Sequence, residues 1–248
     1  MQKNFKSIFQ LIGGITGIAA LIFSLIQLLL SYIITSKYSY QTPIAEDVLT
    51  VFYNNSILGH FTYIFVILIG ITVIPASIGV FIFLREKIPN NKNLLFIPLV
   101  FHLIGAITII ISYMWELIVI KNLAAEFISA VEPEKSEIIA QYSEISFIFN
   151  VLSVVSYIFL FGLGTGIFGY FSLKVNLNKT TMNWLAFVGA FLALFRFGIF
   201  LKSSFGQILV LGAQIGSILF LFWLGNICYF IIRDILKPVE KTIEIEAN

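Results

Sequence analysis

The sequence predicts an all-α membrane protein: one domain, a bundle of six transmembrane helices with both termini in the cytoplasm. Three observations carry this reading. Charged residues make up 11% of the 248 residues and apolar ones 59%, whereas soluble domains carry about 25% charge. Such a chain cannot cover its surface with polar groups, so lipid is its natural solvent. The apolar residues gather into six windows, each long enough for the roughly 20 residues a helix needs to cross a bilayer. The basic residues also alternate in density between successive connections.

The first window runs from Phe9 to Ile34 behind Lys3 and Lys6. It is too long for a signal-peptide core of about 7–15 residues. The residues that follow, Thr35, Ser36, Lys37 and Tyr38, offer no small-x-small cleavage site, so it reads as an uncleaved span. The other windows are Leu58–Leu84, Leu94–Ile120, Ile145–Leu173, Met182–Leu201 and Ile208–Ile232, followed by a cytoplasmic tail, 233–248. They are apolar on every face, unlike the alternating strands of about ten residues in a membrane barrel, and a helix satisfies its own backbone in lipid. Pro75 and Pro98 are expected to kink the second and third spans.

Orientation follows from the loops. Lys3, Lys6, Arg85, Lys87, Lys92, Lys174, Lys179, Arg233, Lys237 and Lys241 fall on one side; Lys37, Lys121, Lys135 and Lys202 fall on the other. The positive-inside rule places the richer side in the cytoplasm and requires an even number of spans. The outer loop 121–144 is acidic, with Glu126, Glu132, Glu134, Glu137 and Glu144. Leu123, Phe127, Ile128 and Val131 share one helical face there, which suggests a helix lying on the membrane surface until Pro133 breaks it.

The chemical inventory is thin. No phosphate-binding loop, HExxH or GxSxG motif occurs. The histidines, His60 and His102, lie on different spans near opposite sides and cannot share a metal. No catalytic residue, metal site or cofactor is expected. The single cysteine, Cys228, reads as a small buried hydrophobe. No clustered basic face suggests nucleic acid. The expected partner is the lipid bilayer, with room for a homo-oligomer or a membrane partner protein.

What remains is polar residues at membrane depth, where an ionisable group costs about 2.5–3.5 kcal/mol on insertion scales. Glu116 and Arg196 each lie about 6–8 Å inside the outer boundary of their spans. The similar depth suggests an ion pair or the lining of an outward-facing polar cavity, which His60, Asn150 and Gln207 could join. Toward the cytoplasm, His102 and Asn226 lie about 12 Å and 9 Å from their span ends and could hydrogen-bond. The spacings Gly13/Gly17, Gly162/Gly166 and Gly212/Gly216 suit close helix approach.

Three features resemble a known bacterial group. They are the third-span opening Phe101-His102-Leu103-Ile104-Gly105-Ala106, the long acidic outer loop, and the stretch Phe161-Gly162-Leu163-Gly164-Thr165-Gly166-Ile167-Phe168-Gly169-Tyr170-Phe171-Ser172-Leu173-Lys174 followed by Trp184 and Gly189. The layout resembles the six-helix membrane proteins grouped as domain of unknown function 4386, over most of the chain. The resemblance implies a bacterial cytoplasmic-membrane protein with six helices and transfers no catalytic residue. The function expected is a non-catalytic accessory, sensor or immunity-type role. The alternative is small-molecule binding or transport through an externally open cavity, and a membrane-embedded enzyme ranks last.

Overall fold

The computed structural model describes residues 2–37, 45–54, 56–88, 92–175, 180–201 and 203–246. Helix α1 is Gln2–Lys37, α2 Ala45–Asn54, α3 Ser56–Lys87, α4 Phe96–Ser129 and α5 Glu134–Ser156. A π-helical segment, Tyr157–Gly164, joins α5 to α6, Thr165–Lys174. Helix α7, Thr180–Ala193, tightens into a 3₁₀ segment, Leu194–Phe200, and α8 is Ser204–Glu246. Among the described residues there is no strand. Six stretches are long and apolar enough to cross a membrane: Lys6–Ile33, Ile57–Lys87, Phe96–Ser129, Glu134–Lys174, Thr181–Phe200 and Ser204–Leu236. They contain the six windows read from the sequence to within a few residues.

The spans pack in chain order as a ring. Helix α1 lies against α3, α3 against α4, α4 against α5 and the π segment, α6 against α7, α7 against α8, and α8 back against α1. Their faces are sorted in the sense lipid demands. On α4, Ile97, Val100, Ile104, Ile107, Ile111, Met114 and Ile118 form an exposed stripe. Its inner face holds His102, Gly105, Ala106, Ile109 and Ser112. Large apolar side chains point outward and small or polar ones inward. In water that stripe would drive aggregation; in a bilayer it is solvated, and small inner residues let helices approach.

Helix α1 approaches α3 closely. A Cβ on Gly13 would stand 2.6 Å from the Gly79 Cα and 2.8 Å from the Pro75 carbonyl oxygen, so only glycines fit at this crossing. Gly14 and Gly17 of α1 face Ile232 and Cys228 of α8 instead. Gly216 packs on α7, where a Cβ would meet the Gly189 oxygen at 2.6 Å, whereas Gly212 has only ordinary contacts with Phe195 and Leu192. Gly162 would press on Leu194 at 2.8 Å, and Gly166 meets the Ala190 Cβ at an ordinary 3.5 Å.

Lys6, Glu86, Lys87 and Asp234 join the starting end of α1 to the finishing ends of α3 and α8, through Lys6–Glu86 at 4.0 Å and Lys87–Asp234 at 3.0 Å. The three helix ends therefore share one basic face of the bundle, as an even number of crossings requires. At the opposite, acidic end the structure departs from the sequence reading. Loop residues 121–129 are not a separate surface helix; they continue α4 to Ser129. At 34 residues α4 is about 51 Å long, well beyond a hydrocarbon core of about 30 Å. Leu123 and Phe127 are buried, while Ile128 and Val131 stay exposed. Beyond the turn at Pro133, α5 begins at Glu134, earlier than the apolar window implied. Pro98 is the third residue of α4; in a first turn its missing N–H breaks no intrahelical bond, so it marks a helix start. Pro75 lies inside α3.

Helix α2 and the projecting turns of α4 build a second apolar core from Leu49, Phe52, Ile120, Leu123, Ala124 and Phe127, against which Ile138, Ile139 and Tyr142 of α5 pack. Ten residues are too few for a stable helix in isolation. Burying Leu49 and Phe52, about 1.5–3 kcal/mol each, docks α2 as a cap on the acidic end.

Candidate functional site

Beneath this cap lies a groove of about 810 Å³ between α2, α3 and α4. Helix α2 supplies Phe52 and Tyr53, α3 supplies His60, Phe61 and Ile64, and α4 supplies Lys121. Its walls are mainly apolar. The Phe52 ring contacts His60, with centroids 5.1 Å apart, and meets Tyr63 edge-on at 6.1 Å.

Tyr63 links the groove to the bundle interior. Its hydroxyl donates to Glu116 Oε1 at 3.2 Å, and its ring lies 5.7 Å from that of Tyr113. Glu116 therefore has a hydrogen-bond donor on the neighbouring helix, which lowers the cost of carrying a carboxyl at this depth. Arg196, on the 3₁₀ segment, donates from Nε to Ser153 Oγ at 2.9 Å and stacks its guanidinium 4.8 Å over the Tyr157 ring. Glu116 and Arg196 form no direct ion pair, yet each is within electrostatic range of the other and of Tyr113. The result is a band of tyrosines between a carboxyl and a guanidinium. Asn150 is half-buried, one turn before Ser153 on α5. Gln207 is exposed, and its backbone N–H donates to the Ser203 carbonyl in the first turn of α8.

The five residues grouped by depth thus occupy different places. His60 lines the groove. Glu116 is one aromatic contact inward, Arg196 lies across the tyrosine band, and Asn150 and Gln207 make no side-chain hydrogen bond to either. The residues missing from that grouping are Tyr63, Tyr113 and Tyr157. Their spacing on apolar spans carries no signal that separates them from ordinary packing tyrosines. Phe52 was hidden because it lies in a loop by hydropathy.

A second polar site crosses the middle of the bundle. His102 is 1% exposed. Its Nδ1 lies 2.8 Å from Ser77 Oγ on α3, and its Nε2 lies 3.4 Å from Thr165 Oγ1 at the end of the π segment. Thr165 gives its own hydrogen to the Leu160 carbonyl, at 2.8 Å. Its oxygen is left to accept from His102 Nε2–H, and Ser77 then donates to Nδ1. A neutral imidazole satisfies the whole chain of bonds. The Leu160 carbonyl that accepts from Thr165 lies within the π segment, a helix form that occurs mostly as short bulges. Phe168 and Phe220 hold the ring edge-on at 5.0 and 5.6 Å. His102 therefore bonds to Ser77 and Thr165, not to Asn226. The Asn226 Nδ2 is buried without a hydrogen-bond partner, as are Ser172 Oγ, Asn183 Nδ2 and Trp223 Nε1.

Among the described residues, no group of three or more His, Cys, Asp or Glu side chains could hold a metal ion. No family model, curated protein or solved structure matches the chain.

Proposed function

We propose that this chain is a non-catalytic, multi-pass protein of the bacterial cytoplasmic membrane, of the sensor or accessory type, including immunity-type roles. In this reading it takes an amphiphilic ligand into the groove at its acidic end. In this reading the basic face where the ends of α1, α3 and α8 meet lies in the cytoplasm, in keeping with the positive-inside rule, and the groove opens on the outer side. Membership of the group known as domain of unknown function 4386 is part of the proposal and rests on the glycine and aromatic patterns quoted above.

One observation carries it. Phe52 is both a wall of the groove and a ring contact of Tyr63, which bonds Glu116. An occupant that displaces Phe52 perturbs Tyr63, and through it the buried carboxyl. Its volume falls within the usual range for small-ligand sites, about 300–1,000 Å³. Binding alone needs no catalytic group, in keeping with the sparse inventory.

The test is outward accessibility. In a Cys228→Ser chain, Ala125→Cys on the groove wall is exposed in intact cells to a membrane-impermeant maleimide carrying an environment-sensitive naphthyl group. Fast labelling with blue-shifted emission is expected. A folded, inserted variant that stays unlabelled from outside yet labels in inside-out vesicles would overturn the orientation. Labelling with emission as in water would overturn the apolar groove.

A further inference from the structure

We infer that the groove holds an anionic phospholipid of the surrounding leaflet, entering sideways from the bilayer; this rests on the reading of the groove as a ligand site. Depth comes first. Lys121 lies 25 residues beyond Phe96 on the continuous helix α4, a rise of about 37 Å. The hydrocarbon core is about 30 Å thick, and about 40–45 Å with headgroups. If α4 enters the core near Phe96, the Lys121 ammonium stands in the far headgroup layer. Ile57, Phe61 and Ile64 line the α3 wall and descend toward the hydrocarbon over seven residues, about 10 Å.

Direction comes second. Ile57, Phe61 and Ile64 are 72%, 48% and 40% exposed, so this wall is open on the outside of the helix ring, where lipid chains run. A ligand reaching it need not leave the membrane. An acyl chain lying along the wall would cover that apolar surface and rest against Phe52.

Charge decides the headgroup. Among the described residues that line the groove, Lys121 alone carries a full charge and none is a carboxylate. Lys121 is exposed and makes no ion pair or hydrogen bond with a described residue. A lipid phosphate can accept from its ammonium and from the Asn122 amide beside it. A zwitterionic headgroup brings a second, positive group that meets no anion in the groove. Anionic phosphatidylglycerol satisfies the site; phosphatidylcholine leaves its ammonium unpartnered.

The full chain would be purified in mild detergent with equal amounts of the two lipids, and retained lipid read by native mass spectrometry. One retained phosphatidylglycerol is expected, preferred about tenfold over phosphatidylcholine, the scale of one charge-assisted contact. Lys121→Gln is expected to remove the preference while lipid is still retained. Ala125→Trp, which fills the groove from an exposed position, is expected to remove the lipid altogether. Loss on Ala125→Trp with the preference intact in Lys121→Gln would overturn the headgroup assignment and leave the groove reading standing. Retention unchanged by Ala125→Trp would place the lipid elsewhere and overturn the inference. No retention by any variant, alongside outward labelling of Ala125→Cys, would overturn the lipid while sparing the groove.

Discussion

Substituting either of two glycines two residues apart should have opposite effects. A Cβ added at Gly164 would collide with the His102 ring and would lie 2.8 Å from the Phe159 carbonyl oxygen. The ring is hemmed in, because Phe168 and Phe220 meet it in edge-type contacts and Ser77 tethers Nδ1 at 2.8 Å. Relief requires breaking that bond, about 0.6 kcal/mol on average for an interhelical bond in a membrane, or shifting backbone. Overpacking of this kind costs about 1–3 kcal/mol. At Gly166 the nearest atom is the Ala190 Cβ at 3.5 Å, an ordinary contact. Gly166→Ala should therefore gain the roughly 0.5–1 kcal/mol of helix preference that alanine has over glycine. The two variants should differ by about 1.5–4 kcal/mol, with Gly164→Ala the weaker. Reversible unfolding in mixed micelles, titrated with dodecyl sulfate and followed by far-ultraviolet circular dichroism, measures the difference. Indistinguishable midpoints, or a stabilised Gly164→Ala, would refute the packing assigned to His102.

Three further outcomes follow from the same contacts. Gly13→Ala should destabilise by more than 1 kcal/mol, since its Cβ meets backbone of α3 that no rotamer change can move, whereas Gly212→Ala should be neutral or better; the same unfolding assay ranks them. In a double-mutant cycle of Tyr63→Phe and Glu116→Gln, a coupling of about 0.5–1.5 kcal/mol is expected for their hydrogen bond, and zero coupling would detach the groove from the carboxyl. Cys228, fully buried between α1 and α8, should resist a small permeant thiol reagent in the folded protein and react once unfolded; fast labelling of native protein would contradict the α1–α8 contact.

The helix count and the span positions were legible because lipid imposes length and polarity on every crossing segment. Partners were not. Where a helix is apolar all round, its rotation about its own axis leaves no trace in periodicity. Depth alone put His102 level with Asn226, but rotation and the π segment give it Ser77 and Thr165. The glycine spacings show the same limit. Gly13 was legible, yet its partner Gly79 and the tight positions Gly105, Gly164 and Gly189 lie outside the simple four-residue pattern. Glu116 and Arg196 stood out by charge, while the tyrosines around them looked like packing. The acidic loop misled because an apolar face there reads equally well as a surface helix or as a projecting helix seated on a cap.

The seam between α1 and α8 bears on how the chain is made. The Cys228 thiol donates to the Gly13 carbonyl across 215 residues of sequence, at 3.6 Å. A ribosome must deliver every intervening span before that seam can close. Until then, the glycine edge of α1 that fits α8 faces lipid with nothing to match it. Chains cut short before α8 would expose a groove of bare backbone along the first span, a natural handle for the proteases that clear unfinished membrane proteins.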